Sequence, residues 1–173
     1  MDRGITKGYD DGTFGPERKC KREEMITFLW RQAGKPNPKS TTKNTFSDVK
    51  SGTYYYKAVL WAKEKGITKG YTSGINKGKF GVGLNITREE TVTFLYRMAN
   101  KPPVTNADLN KYTFKDIKSG AYYQKPIAWA AKQGITKGYS SGVYAGKFGV
   151  GLNVLRKDIV TFLYRYAIKE YSL

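Results

Sequence analysis

The sequence predicts a mainly α fold: tandem helix-turn-helix repeats with pseudo-threefold symmetry around a shared core and only short extended segments. Three observations predict it. The hexapeptide Gly-Ile-Thr-Lys-Gly-Tyr occurs at 4–9, 66–71 and 134–139. A block reading Thr-Phe-Leu, then Trp or Tyr, then Arg follows each copy, at 27–31, 93–97 and 161–165. A third block occurs twice, from Phe46-Ser47-Asp48-Val49 to Trp61-Ala62 and from Phe114-Lys115-Asp116-Ile117 to Trp129-Ala130. Internal similarity of this kind marks a repeat architecture, in which single units cannot bury their apolar faces alone. The chain is read as the second half of one repeat (1–36) followed by two whole repeats (44–101 and 112–170), all expected to pack as one domain.

Each element has a local reason. The first helix of a whole repeat is expected over Tyr55 to Lys65, and again over Tyr123 to Gln133. Ala58, Trp61, Ala62 and Lys65 fall at i, i+3, i+4, i+7, one face of a helix. Pro126 lies in the first turn of the second copy, where proline is tolerated. Gly66 and Gly134 stand where a helix-ending glycine belongs. The Ile-Thr-Lys-Gly-Tyr piece that follows reads as a brief strand or an extended connector. A Gly-rich turn comes next, as Asp11-Gly12-Thr13-Phe14-Gly15-Pro16 in the first copy. The second and third copies are longer and end in Lys79-Phe80-Gly81-Val82-Gly83 and Lys147-Phe148-Gly149-Val150-Gly151.

One spacing then separates Phe14 from Arg22, Phe80 from Arg88 and Phe148 from Arg156. The second helix starts near each arginine. Its stripe is Ile26, Leu29, Trp30 and Ala33, repeated as Val92, Leu95, Tyr96 and Ala99, and as Val160, Leu163, Tyr164 and Ala167. The breaker-rich stretches at 34–38 and 100–103 are linkers.

Composition bounds the chemistry. Lys and Arg total 31 against 14 Asp and Glu, a formal charge of +17, with no His and one Cys. The absence of His removes His-based triads, bases and metal sites, and one thiol forms no intramolecular disulfide. No apolar run approaches a membrane span. Residues 1–9 lack the apolar region of a signal peptide, so the reading treats the chain as part of a longer protein if that protein is exported. No cofactor motif, paired-carboxylate site or phosphate-binding Gly loop is visible. The charge points to a polyanionic partner.

The residues that stand out are Arg22, Arg88 and Arg156. Thr87 and Glu90 form a capping box, which puts Arg88 at the first helical position, where a cation opposes the helix dipole. Register places Arg22 and Arg156 alike, each at the head of an interior stripe. Two explanations fit. Guanidinium and helix N–H groups together hold a carboxylate or phosphate, or each arginine pairs with an acidic residue such as Asp48 or Asp116. Tyr9, Tyr71 and Tyr139 sit beside the Gly-rich turns, and Lys7, Lys69 and Lys137 recur in register. These, with Trp61 and Trp129, suit an aromatic, basic sugar-binding groove, although core packing accounts equally for the tyrosines and better for the tryptophans.

The order Phe-x-Asp-Val, Trp-Ala, Gly-Ile-x-x-Gly-Tyr, Asp-Gly-Thr-Phe-x-Pro and Thr-Arg-x-Glu, ending in an aromatic-Arg pair, resembles the S-layer homology domain. The resemblance covers nearly the whole chain. It implies a three-pronged spindle around a central three-helix bundle, with the first repeat truncated at its N-terminus. It also implies a non-catalytic module that anchors bacterial surface proteins to anionic cell-wall polysaccharide, often pyruvylated, outside the cell at the surface or wall. The family's ligand-contacting arginine corresponds to Arg88 directly and to Arg22 and Arg156 by register. The match is imperfect. Copy one reads Cys20-Lys21-Arg22-Glu23-Glu24 without the capping Thr, and copy three reads Val154-Leu155-Arg156-Lys157-Asp158 without Thr or Glu. The missing first prong leaves a groove open for upstream sequence or for self-association. The competing readings are a basic repeat protein that binds nucleic acid, which is disfavoured because the charge follows the repeats, and the targeting region of a larger wall-active or glycan-degrading enzyme. No membrane insertion is expected.

Overall fold

The computed structural model describes residues 4–6 and 8–171. It is mainly helical, with α1 (Arg22–Gln32), α2 (Tyr56–Glu64), α3 (Arg88–Met98), α4 (Asn106–Lys111), α5 (Gln124–Lys132) and α6 (Arg156–Tyr171), plus a 3-10 turn at Gly142–Tyr144. No strand forms among the described residues. The pieces expected as strand or connector are connectors, and β pairing is limited to isolated antiparallel bridges, Lys21 with Asn85 and Thr87 with Asn153. None of the helices crosses a membrane on length and apolarity, among the described residues. The chain divides into two compact units, Met1–Asn85 and Ile86–Leu173.

In the first unit α1 packs on α2. Met25, Ile26 and Leu29 of α1 are fully buried, as are Ala58, Val59 and Ala62 of α2. Of the stripe read from the sequence, Ile26 and Leu29 are buried, each contributing roughly 1.5–3 kcal/mol. Trp30 is half-buried, and Ala33, past the last residue of α1, is exposed. In α6 Leu163 is buried, but Tyr164 of the same stripe is 66% exposed. The buried rings of Phe46 and Phe80 meet at 6.0 Å.

The second unit repeats this plan with α3 on α5. Phe114 and Phe148 meet at 5.9 Å. Trp129 lies between Tyr96, at 5.6 Å, and Tyr166, at 6.2 Å. This unit also holds α4, which packs on α5 and is tied to it by an ion pair between Lys132 and Asp108 at 2.9 Å. Thr105 caps α4 by accepting from Asp108 N–H at 3.1 Å, while Asp108 accepts from Thr105 N–H at 3.0 Å.

Four helices end the same way. After α2, Gly66 takes φ +66°, its N–H donates to Lys63 O at 3.0 Å, and Ile67 N–H reaches back to Ala62 O at 2.8 Å. After α5, Gly134 and Ile135 repeat both bonds. These paired bonds satisfy the last helical carbonyls, and the left-handed residue they need is usually glycine. α1 ends so at Gly34, but α3 uses Asn100 at φ +60°, asparagine being the side chain that best tolerates this region.

Candidate functional site

Each unit builds one copy of the same arrangement around its long Gly-rich turn. In the second unit the turn 148–151 is held by two carboxylates. Asp116 accepts three backbone N–H bonds, from Phe148 at 2.8 Å, Gly149 at 2.7 Å and Val150 at 2.8 Å. Glu89, on the first turn of α3, accepts from Gly151 N–H at 3.0 Å. In the first unit Asp48 does the same for Phe80, Gly81 and Val82, and Glu23 for Gly83. Burial pushes the Asp48 and Asp116 carboxyls up, but the backbone bonds outweigh it and hold both below the usual carboxylate range.

The turn carries its arginine with it. Arg88 Nε donates to Phe148 O at 2.9 Å, and its guanidinium lies 4.7 Å from the Tyr139 ring centre and 5.2 Å from that of Phe162. Arg22 Nε donates to Phe80 O at 3.0 Å and lies 4.7 Å from the Tyr71 ring centre. Both arginines are buried, at 3% exposure for Arg22 and 6% for Arg88. Glycine is required at the centre of the turn. Gly149 has φ +92°, and a side-chain carbon there would stand 2.8 Å from Tyr139. Burial draws the Arg88 guanidinium below its ordinary value, while Tyr139, Asp158, Asp116 and Glu89 pull it back up. It remains a cation at any physiological pH.

Two expectations change here. The helix-start N–H groups reserved for a ligand are engaged internally at the first position, since Arg88 N–H donates to Leu152 O at 2.9 Å and Arg22 N–H to Leu84 O at 3.0 Å. Asp48 and Asp116 accept the turn amides, Arg22 and Arg88 each donate through Nε to a carbonyl of the same turn, and the Asp116 charge acts on Arg88 from beside it.

Arg88 borders a cavity of about 220 Å³. Arg88, Lys137, Arg165 and Asp158 supply its charges, Tyr139 and Phe162 its aromatic surface, and Thr136 and Thr161 line it too. Three cations face one carboxylate, so the cavity favours an anion. Arg165 is fixed by donating through Nη1 to Ile135 O at 3.2 Å. With its planar, multi-donor heads and threonine neighbours, such a cavity can hold a carboxylate next to sugar hydroxyls.

The structure thus brings Arg88, Tyr139 and Lys137 together, and sets Arg22 against Tyr71. Arg156 is buried at the first position of α6. Tyr9 lies beside a different arginine, with Arg18 4.3 Å over its ring, and donates to Glu24 at 3.3 Å. Lys69 is exposed, and Lys7 lies outside the described residues. Trp61 and Trp129 are 4% and 5% exposed, so their faces are taken up by packing. Thr161, Phe162 and Arg165 belong to the recurring block that the sequence offers as architecture, and Asp158 to the third copy of the arginine motif, but neither marks them as lining a site. A signal did exist for the Asp nests: Asp48 to Phe80 and Asp116 to Phe148 share one separation of 32 residues.

Known proteins are similar to this chain in sequence. The chain is 26% identical over 132 residues to a cellulosome-anchoring protein of Acetivibrio thermocellus, covering 70% of this chain and 28% of that protein. It is 29% identical over 166 residues to an amylopullulanase of Thermoanaerobacterium thermosulfurigenes, covering 94% of this chain and 8% of the relative. It is 32% identical over 110 residues to the S-layer protein sap of Bacillus anthracis, covering 64% and 12%. The chain therefore spans less than a third of the length of each. The S-layer homology domain model matches residues 2–26, 45–92 and 113–158, stretches that hold all three arginine-headed helix starts and both Asp nests. By that match, and by the motif order that produces the duplicated turn, the chain belongs to the S-layer homology domain family.

Proposed function

We propose that the chain is a non-catalytic wall-binding module that anchors a bacterial surface protein to an anionic, pyruvylated cell-wall glycan. The observation that carries this reading is the cavity where Arg88, Lys137 and Arg165 face one carboxylate beside Tyr139 and Phe162. A pyruvate ketal offers a carboxylate for the guanidinium fork and a methyl group for the rings. The names of the relatives, an anchoring protein and an S-layer protein, fit attachment at the cell surface. The amylopullulanase fits a module joined to a larger enzyme, which would supply the catalysis.

Because Arg88 also braces the turn, the informative substitution keeps its charge. Arg88→Lys removes the bidentate fork and is expected to weaken binding of purified wall polysaccharide roughly tenfold or more, with circular dichroism unchanged. Polysaccharide stripped of its acidic groups is expected to bind the wild-type chain no better than it binds Arg88→Lys. If the stripped polymer binds the wild type as tightly as the intact one, the anion reading fails.

A further inference from the structure

Away from the arginine turns, each unit has a second cleft, and the two are built from residues in matching register. The first unit's cleft, about 720 Å³, is bordered by Trp30, Tyr54 and Lys57. The second unit's, about 300 Å³, is bordered by Tyr96, Tyr122 and Lys125.

The matching parts are fixed by matching contacts. Trp30 Nε1 donates to Pro36 O at 2.8 Å, and Tyr96 Oη donates to Pro102 O at 2.9 Å, so different polar tips pin the same linker in each unit. Tyr54 stands edge-on to buried Tyr55 at 5.1 Å, and Tyr122 edge-on to buried Tyr123 at 5.2 Å. Both outer rings are 59% exposed. An aromatic ring held rigid by a buried neighbour, yet open to solvent, is a ready surface for the apolar face of a sugar. Lys57 and Lys125 are exposed one helical step away. Glu64, the carboxylate at the wall of the first cleft, is engaged by two residues that line it, Lys39 through its N–H at 2.9 Å and Thr42 through its hydroxyl at 3.1 Å.

We propose that these two clefts are secondary glycan-binding sites, in which Tyr54 and Tyr122 stack on sugar rings of an acidic polysaccharide and Lys57 and Lys125 meet its acidic groups. The proposal rests on the wall-polymer reading for the identity of the chain bound, and on the duplicated geometry for its place. These sites contact a stretch of polymer other than the one held at Arg88.

The test uses the whole 173-residue chain and purified anionic wall polysaccharide, followed by calorimetry and by nitration of exposed tyrosines. Y54A/Y122A is expected to raise the Kd about tenfold, the scale of one or two aromatic contacts. Bound polymer is expected to protect Tyr54 and Tyr122 from nitration in the wild type. K57E/K125E, which alters only exposed side chains, is expected to weaken binding as well, and it serves if the tyrosine variant does not fold. Unchanged affinity in these variants, or tyrosines that nitrate freely in the complex, overturns the proposal. R22K/R88K separates the two readings. If it loses binding while Y54A/Y122A binds normally, the arginine reading stands and the clefts are empty surface. If it binds normally while Y54A/Y122A does not, the clefts stand and the arginine reading falls. A wild type that takes up no polymer overturns both.

Discussion

Asp116 shows how much of the site depends on single side chains. Its two oxygens collect three N–H groups that the reversal of the chain at Gly149 leaves pointing inward. Without them Phe148 O has no fixed place, and Arg88 loses its brace. Asp116→Asn turns one acceptor into a donor facing N–H groups, and is expected to cost about 2–3 kcal/mol, read by urea denaturation at neutral pH. The same nests set an acid limit. Asp48 and Asp116 are held below the ordinary carboxylate range, so their contribution is fully present above that range and lost as pH falls through their lowered folded values. Glu23 runs the other way. Burial raises its carboxyl, so it protonates first as pH falls, and that step favours the fold. Stability measured from neutral pH to about pH 2 should therefore hold through mildly acid pH and then drop. Asp108, also held low by its bonds to Lys132 and Thr105, shares in the drop. D48N/D116N should flatten part of it, and an acid limb of unchanged depth in that variant would show that the nests do not set it.

Among the elements, the starts of α1 and α3 differ in one informative way. α3 has a complete capping box: Thr87 Oγ1 accepts from Glu90 N–H at 3.4 Å, and Glu90 accepts from Thr87 N–H at 3.0 Å. At α1 only the second half exists, with Glu24 accepting from Lys21 N–H at 2.7 Å, because a lysine ammonium accepts nothing. Thr87→Ala is expected to cost about 1 kcal/mol and Lys21→Thr to gain up to about as much, both as shifts in urea midpoint at constant slope. Equal midpoints for Lys21→Thr and wild type would mean that Glu24 alone suffices. This is the scale at which the sequence is most legible. The expected Tyr55–Lys65 helix is observed as Tyr56–Glu64, because apolar period, entry turn and final glycine agree. α4 carried no such agreement, since six residues are too few to display a stripe, and its reason for existing is the partner α5. The site was legible as a set of recurring positions. Which of them meet was not, because the pairing of Arg88 with a turn 60 residues away is decided by packing.

For the molecule as a whole, the charge of +17 now separates into two populations. Arg22, Arg88 and Arg156 are buried, whereas Lys57, Lys69, Lys125 and Lys137 are exposed. Exposed charges attract any polyanion at long range and are screened by salt, while a cation enclosed by rings and carbonyls is screened much less. Two kinds of binding should follow. A DNA duplex, which carries charge but no sugar carboxylates, meets only the exposed lysines, and its affinity should fall by orders of magnitude between about 0.05 and 0.5 M salt. The anionic wall polysaccharide should lose the same long-range part yet keep a salt-resistant remainder, and Arg88→Lys should remove that remainder while leaving the steep part intact. Titrations of both polymers at several salt concentrations, with wild type and Arg88→Lys, read the two slopes directly. If the slopes for DNA and wall polymer coincide, net charge alone governs association and the nucleic-acid reading gains. If they diverge and the divergence disappears with Arg88→Lys, the buried arginine carries the specificity and the lysines carry the attraction.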